Sequence, residues 1–285
     1  MSHDWADKIA RQLLAQGSMP AGVCLILGGV DTGKTTLTAA LAEHLAQSQS
    51  VGIVDADIGQ SHIGPPTTVG WAILDSPQDD FSKLTANGIS FVGDVTPERH
   101  LLQLAAAIAQ GVQQVSKITQ SVLIDTPGFI RGPAAAALWW TVQRILRPDL
   151  IVAVQQYDEL GDILAGWAWP DCPLEHVKAP EIPAKTWDAR RKYRQQQFAT
   201  YFRNARPYDV DLTDVAVQTS GRLSGDMLVG RLVGLRDEKG VDGAIGIIDD
   251  WQDDKGIASV RTPQLDIKKV RCLVIGDATI DIAET

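Results

Sequence analysis

The stretch that most limits what this chain can fold into is Gly28-Gly29-Val30-Asp31-Thr32-Gly33-Lys34-Thr35, a complete Gly-x4-Gly-Lys-Thr loop. An apolar run, Val23 to Leu27, precedes it, and a helix-forming segment, Thr36 to Ala42, follows. Strand, glycine-rich turn and helix in that order make a phosphate cradle. The glycines let the backbone curl so that its N–H groups point inward at anionic oxygens, and the helix adds the positive end of its dipole. Gly28, Gly29, Val30, Asp31, Thr32, Gly33 and Thr36 are expected to surround a nucleotide there. Lys34 would reach its β- and γ-phosphates, and Thr35 would place a hydroxyl on Mg²⁺. A chance glycine turn requires neither the strand nor the helix, and both are present.

The rest of the pattern agrees with an α/β fold. Trp5, Ile9 and Leu13 recur at i, i+4, i+8 and predict an amphipathic helix over residues 4–16. Strand-like runs at 51–55, 89–92, 121–125 and 150–154 then alternate with helical runs at 101–115 and 134–146. Short apolar strands alternating with helices predict a parallel sheet covered on both faces. Residues 59–68, with Gly64-Pro65-Pro66, are expected to form a loop at the carboxyl edge of the second strand, where ligands bind in open α/β sheets. Near residue 206 the pattern changes to β segments at 227–236, 243–248, 256–261 and 270–275, with turn sequences such as Glu238-Lys239-Gly240 between them. The expected organisation is a P-loop domain with a parallel sheet flanked by helices over residues 1–206. A small β-rich C-terminal domain, barrel-like or sandwich-like, is expected over 207–285.

Composition narrows the class. At 285 residues and 45% apolar, the chain can bury a full core, yet it contains no run of 18 apolar residues to span a membrane. Its start, Met1-Ser2-His3-Asp4-Trp5, lacks the basic and apolar regions of a signal peptide. Cys24, Cys172 and Cys272 are odd in number and far apart, which fits a reducing, cytoplasmic setting and argues against both a disulfide framework and a structural zinc. The net charge of −9 argues against a nucleic-acid partner, but the charge is unevenly spread. Lys185 to Arg206 holds seven Lys or Arg against one acid, Asp188. Such a segment can bind a phosphate backbone from within an acidic protein.

Two further motifs fall at strand ends. Val54-Asp55-Ala56-Asp57-Ile58-Gly59-Gln60 closes the second strand with two carboxylates one residue apart. A carboxylate at this edge can hold Mg²⁺ through water or take a proton from an attacking hydroxyl. The alternative is a polar strand end satisfied by its neighbouring backbone. Val122-Leu123-Ile124-Asp125-Thr126-Pro127-Gly128-Phe129 is another apolar strand, ending in Asp-Thr-Pro-Gly. Alone that is also a common turn. As a third element at the same sheet edge it carries more weight.

Taken together, Gly28 to Thr35, Asp55 to Gln60 with Pro65-Pro66-Thr67-Thr68, and Asp125 to Phe129 resemble the Clp1/Grc3/Nol9 family of polynucleotide 5′-hydroxyl kinases. Phe91 to Pro97 resembles that family's Gly-x-x-Ser-Pro stretch. Arg190-Arg191-Lys192-Tyr193-Arg194, leading to Phe198 and Tyr201-Phe202, resembles its arginine-bearing lid helix, here near 187–203. The resemblance covers about residues 22–206. It implies ATP and Mg²⁺ as cofactors and a nucleic acid with a 5′-hydroxyl end, RNA favoured, as partner. It implies Asp57 as the base on that hydroxyl, Asp55 and Asp125 in the metal shell, and Arg191 and Arg194 neutralising charge as a lid closes. Gln60, Thr126, Gly128 and Arg190 are expected to meet the substrate.

Each feature also has a plainer reading. On a helix Arg190, Arg191 and Arg194 share one arc, which could equally be a solvated basic face. Trp187, Phe198, Tyr201 and Phe202 project over much the same side, so the helix is expected to pack by its aromatic second half while its first half reaches the site. Trp167 and Trp169 could stack a terminal base but suit core packing or a loop clasp, and Trp139-Trp140 reads as core. His44, His62, His100 and His176 lack metal-ligand spacing, although His62 lies in the aspartate loop. A GTPase or ATPase switch is disfavoured by the lack of an Asn-Lys-x-Asp signature, of a lysine between Gly28 and Gly33, and of a Cys/His cluster. A nucleotide-bound scaffold without chemistry of its own is the other alternative.

Overall fold

The P-loop strand, β1 (Gly22–Gly28), lies between β5 (Ser121–Asp125) and β6 (Leu150–Gln155), and all three run parallel. In this computed structural model, residues 4–17, 19, 21–77, 83–167, 172–219, 227–263 and 266–280 are described. Beyond β6 lies β7 (Leu174–Lys178), and beyond β5 lies β2 (Val51–Asp55), both parallel to their neighbours. The five-stranded core β7-β6-β1-β5-β2 therefore has the expected direction and ends its strands at one edge.

The sheet then departs from the all-parallel expectation. β3 (Thr68–Leu74) runs antiparallel to β2, and β4 (Gly88–Phe91) antiparallel to β3. The segment from Ala56 to Thr67 contains no helix, so the chain lacks the crossover that a parallel return requires. β7 was also not foreseen. Its sequence Leu-Glu-His-Val-Lys buries only Val177, as suits a charged edge strand.

Strand alternation divides β1 between two cores. Cys24 and Ile26 pack with α1 (Asp4–Ala15) and α2 (Lys34–Leu45) on one face. Leu25 and Leu27 pack on the other face with α3 (Leu101–Val115), α4 (Gly132–Leu146) and the short α5 (Gly161–Ala165). Trp139 is fully buried in that second core, and its indole N–H donates to the Phe129 carbonyl at 2.7 Å. Its neighbour Trp140 differs from expectation. It is 38% exposed, and its indole is anchored to the Ile163 carbonyl because the next position on a helix turns away from the sheet. Trp167 packs against the same core, while Trp169 lies outside the described residues.

After α6 (Trp187–Phe202) the chain forms β8 (Arg206–Asp211), β9 (Ala216–Gln218), β10 (Arg231–Asp237), β11 (Asp242–Gln252), β12 (Ile257–Thr262) and β13 (Val270–Thr279). These strands continue the sheet: β11 meets β4 at Asp242 and Ile89, and β10, β13 and β9 follow in order. The first half of β11 pairs with β10 and the second with β12, which in turn pairs with β8. Asp242 fastens the join. Its buried carboxylate accepts the Phe91 N–H at 2.8 Å and two hydrogen bonds from the Arg236 guanidinium at 2.9 and 3.0 Å.

Helix α6 is held by its aromatic end, as its pattern predicts. Phe198 and Phe202 are buried against Ile89, Phe91, Leu232, Ile245 and Ile247, and the Tyr201 hydroxyl accepts the Ile245 N–H. Thr186 caps its start by accepting the Ala189 N–H at 3.1 Å. The basic first half is thereby left beside the carboxyl edge of β1, β2 and β5.

Candidate nucleotide-binding and active site

Gly33 is the N-cap of α2 and takes a left-handed φ of 87° that disfavours any side chain. A methyl group there would also lie 2.6 Å from Trp5 Cζ2, so α1 closes against the back of the loop. Lys34 folds back over the turn: its Nζ donates to the Gly29 carbonyl at 2.6 Å, which also accepts the Thr32 hydroxyl at 3.0 Å. The ammonium is buried, and burial pushes its pKa down, while Asp125, Asp57 and Asp31 act in the opposite direction. An anion between these groups would favour the charged form further.

The two sheet-edge aspartates adopt different roles. Asp55 and Asp125 are in register on neighbouring parallel strands and both are fully buried. Burial pushes both pKa values up, and at Asp125 the neighbouring Asp55 adds to the rise. Asp125 Oδ2 accepts the Thr35 hydroxyl at 2.6 Å, and Asp125 Oδ1 is buried without a hydrogen-bond partner. An orphaned carboxylate oxygen beside a P-loop hydroxyl suits a hydrated divalent cation. Asp55 has no such vacancy. Its oxygens accept the N–H groups of Asp57, His62 and Ile63 at 3.0, 2.5 and 2.9 Å, and so fix the loop after β2.

That loop carries Asp57 into the cleft. Asp57 Oδ1 accepts the N–H groups of Gly59 and Gln60 at 3.1 and 2.9 Å, which sets the carboxylate's direction. The cleft, of about 220 Å³, is lined by Val30, Asp31, Thr32, Gly33, Lys34, Thr35 and Thr36 with Asp57, Gln60, His62, Gly128, Ile182, Lys185 and Arg190. Gly128 approaches the phosphate loop so closely that a Cβ would fall 2.7 Å from both the backbone N and Cα of Val30. Thr126 faces away from the cleft: its buried hydroxyl donates to the Ile26 carbonyl at 2.6 Å and ties β5 to β1. Gly28 ends β1 and Gly29 begins the loop, and neither lines the cleft.

The three arginines expected on one arc are shared between two cavities. Arg190 enters the phosphate cleft and pairs with Asp31 at 2.5 Å. Arg191 and Arg194 line a neighbouring cavity of about 510 Å³, together with Asp94, Val95, Gln195, Phe198 and residues 277–280. The second cavity lies close to the first. Burial and Arg190 lower the Arg194 pKa while Asp57 opposes them, so Arg194 lies within electrostatic reach of Asp57. Arg191 also stacks over the ring of Trp187, which is 66% exposed.

Several contributors were not foreseen. Lys185 gives its backbone N–H to Asp31 at 2.9 Å, and the Tyr193 hydroxyl donates to the Ser61 carbonyl at 2.9 Å. Both residues belong to a basic stretch whose charge was legible but whose contacts were not. Ile182, in a proline-flanked segment without regular structure, gave no signal at all.

Comparison with known proteins places the chain in a family. A family model described as the mRNA cleavage and polyadenylation factor CLP1 P-loop matches residues 28–204, from the phosphate loop through α6. The chain belongs to this family. A polyribonucleotide 5′-hydroxyl-kinase of Pyrococcus horikoshii is 32% identical over 218 residues, which is 76% of this chain and 59% of that protein. Its counterpart in Pyrococcus abyssi is 33% identical over 208 residues, 73% of this chain and 58% of that protein. The chain thus spans less than two thirds of the length of these relatives. Among solved structures, a wild-type Clp1p–Pcf11p complex superposes with a TM-score of 0.70 at 13% identity, over 96% of this chain and 77% of that one. At that identity the likeness is one of fold.

Proposed function

We propose that this chain is an ATP-dependent polynucleotide 5′-hydroxyl kinase, transferring the γ-phosphate of ATP to the 5′-hydroxyl end of RNA. The observation that carries the reading is that Lys34, the Thr35–Asp125 pair, Asp57 and Arg190 meet at one cleft. The names of the Pyrococcus relatives support it over the shared part of the chain. In this reading residues 1–206 carry the reaction, residues 207–285 brace the lid helix, and the protein works in a reducing cytoplasm. Among the described residues, no helix is long and apolar enough to cross a membrane.

Phosphoryl transfer needs positioning and charge stabilisation more than covalent chemistry. The amides of Val30 to Lys34 cradle the phosphates, and the Lys34 ammonium leaves the Gly29 carbonyl to span the β- and γ-oxygens. Thr35 would ligate Mg²⁺ and Asp125 would hold its water, and the ion would supply positive charge against the phosphates. Asp55 acts one layer back by fixing the loop that presents Asp57. Asp57 accepts the proton of the 5′-hydroxyl as that oxygen bonds to the γ-phosphorus and the bond to the β–γ bridging oxygen breaks. Gln60 and the Gly128 backbone close the cleft around the reacting groups, and Thr126 holds the Gly128 turn in place. The acceptor strand approaches through the second cavity, where Arg191 and Arg194 meet its phosphates.

The test is transfer of labelled γ-phosphate from ATP to 5′-hydroxyl oligonucleotides of RNA and DNA, with 5′-phosphorylated oligonucleotides as control. Label should appear at 5′-hydroxyl ends alone and depend on Mg²⁺. ATP binding without transfer to either polymer would return the chain to the scaffold reading.

A further inference from the structure

Asp31 is an unexpected residue for a loop that receives polyphosphate. A carboxylate at the rim of an anion site repels the ligand unless something neutralises it. Its backbone lies in the left-handed region at φ 57°, and its side chain, only 13% exposed, lines the cleft. One carboxylate oxygen, Oδ2, receives both the Lys185 N–H and the Arg190 guanidinium. Arg190 is itself held from the other side, because Gln60 Nε2 donates to its carbonyl at 3.3 Å and Tyr193, one turn on, donates to Ser61. The first turn of α6 is therefore fastened both to the phosphate loop and to the aspartate loop.

We propose that Asp31 is a positioning residue that holds Arg190 over the phosphate cleft, while Arg190 cancels the charge of Asp31, so that the two act as one unit in receiving a nucleoside triphosphate. The inference rests on the nucleotide site described under Proposed function. A planar guanidinium fork can serve a carboxylate and a phosphate oxygen together, which an ammonium cannot do in a fixed plane. With Asp31 in place, Arg190 is held ready for the charge that develops during transfer, so the positioning is felt in the transfer step rather than in ground-state affinity. Without Arg190, Asp31 keeps the Lys185 N–H and the influence of the Lys34 ammonium but loses the guanidinium paired with it, and faces the phosphates less well neutralised.

The two halves of the pair should therefore be non-additive toward nucleotide. Arg190→Gln should weaken Mg·ATP binding by about tenfold or more, because a partly buried charge is stranded. Arg190→Gln combined with Asp31→Asn should recover affinity to within about threefold of the parent. Asp31→Asn alone should bind Mg·ATP at least as tightly as the parent. It should nonetheless lower kcat for transfer, because Arg190 is no longer held. Asparagine adopts left-handed backbone readily, so this variant should fold, and a thermal melt checks that it does.

Direct titration of the full chain with Mg·ATP reads the cycle without relying on turnover. Equal, weak binding by Arg190→Gln and the double variant would overturn the proposal, since Arg190 would then bind phosphate alone and Asp31 would be a bystander. Weakened binding by Asp31→Asn alone would overturn it too, because the carboxylate would be contributing directly. If the cycle couples as expected but no variant and no parent transfers phosphate, the pair stands and the kinase reading falls.

Discussion

Two glycines at the site look alike in sequence and are opposite in the structure. A Cβ on Gly29 would meet Ile130 Cδ1 at 3.4 Å and Thr32 Cγ2 at 3.6 Å, which is ordinary contact. A Cβ on Gly128 would lie 2.4 Å from Val30 Cγ2 and 2.7 Å from the backbone N and Cα of Val30. A side chain can rotate aside, but Val30 N belongs to the phosphate cradle. To restore contact near 3.4 Å, the Gly128 turn or the loop must move by about 0.7 Å. Overpacking of this kind costs about 1–3 kcal/mol of stability, and a misplacement approaching 1 Å costs up to about 10²-fold in rate. Gly128→Ala should therefore lower kcat/KM for transfer by about 10–100-fold, or about 1.4–2.7 kcal/mol of transition-state stabilisation. Gly29→Ala should stay within about threefold of the parent, a difference of less than 1 kcal/mol. The assay is γ-phosphate transfer under limiting acceptor, with Mg·ATP titration and a denaturant melt on each variant. Parental kinetics and stability in Gly128→Ala would refute the reasoning, because the turn would not press on the phosphate loop as described. Equal loss in both variants would show that the loop rejects any added methyl group and that the close approach is irrelevant.

Asp57→Asn should leave Mg·ATP affinity near the parental value and reduce the transfer rate by about 10²–10⁴-fold, measured in single turnover. Asp125→Asn should instead raise the Mg²⁺ concentration needed for half-maximal rate, since the oxygens that accept Thr35 and suit a hydrated ion are altered; an unchanged Mg²⁺ profile would remove Asp125 from the metal shell. Arg191→Ala and Arg194→Ala should raise the apparent KM for the oligonucleotide and flatten its salt dependence, with ATP binding little changed, because both line the second cavity. A loss in ATP affinity matching that of Arg190→Gln would place them in the phosphate cleft instead. Asp242→Ala strands the Arg236 guanidinium and the Phe91 N–H, and should cost about 3–5 kcal/mol in a denaturant melt. A change below about 1 kcal/mol would show that the junction between β4 and β11 does not depend on this carboxylate.

The phosphate loop, the strands that end in Asp55 and Asp125, and the helices at 101–115 and near 134–146 were legible in the sequence because local physics specifies them. Apolar runs bounded by glycine, proline and carboxylates leave few alternatives over a handful of residues. The aromatic half of α6 announced its own burial for the same reason. What lay beyond reach depended on partners distant in the chain. The antiparallel β3 is an apolar run like its neighbours, and only the lack of a helix between it and β2 turns it around. That Asp55 spends its oxygens on the backbone of Asp57, His62 and Ile63, while Asp125 keeps one unused, follows from how a loop folds over one strand and not the other. The division of Arg190 from Arg191 and Arg194 is of the same kind. Helical spacing puts the three on one arc, but their long side chains reach in different directions. Which cavity each enters is fixed by where Phe198 and Phe202 seat the helix against β4, β10 and β11, and by a single carboxylate, Asp31, waiting across the cleft.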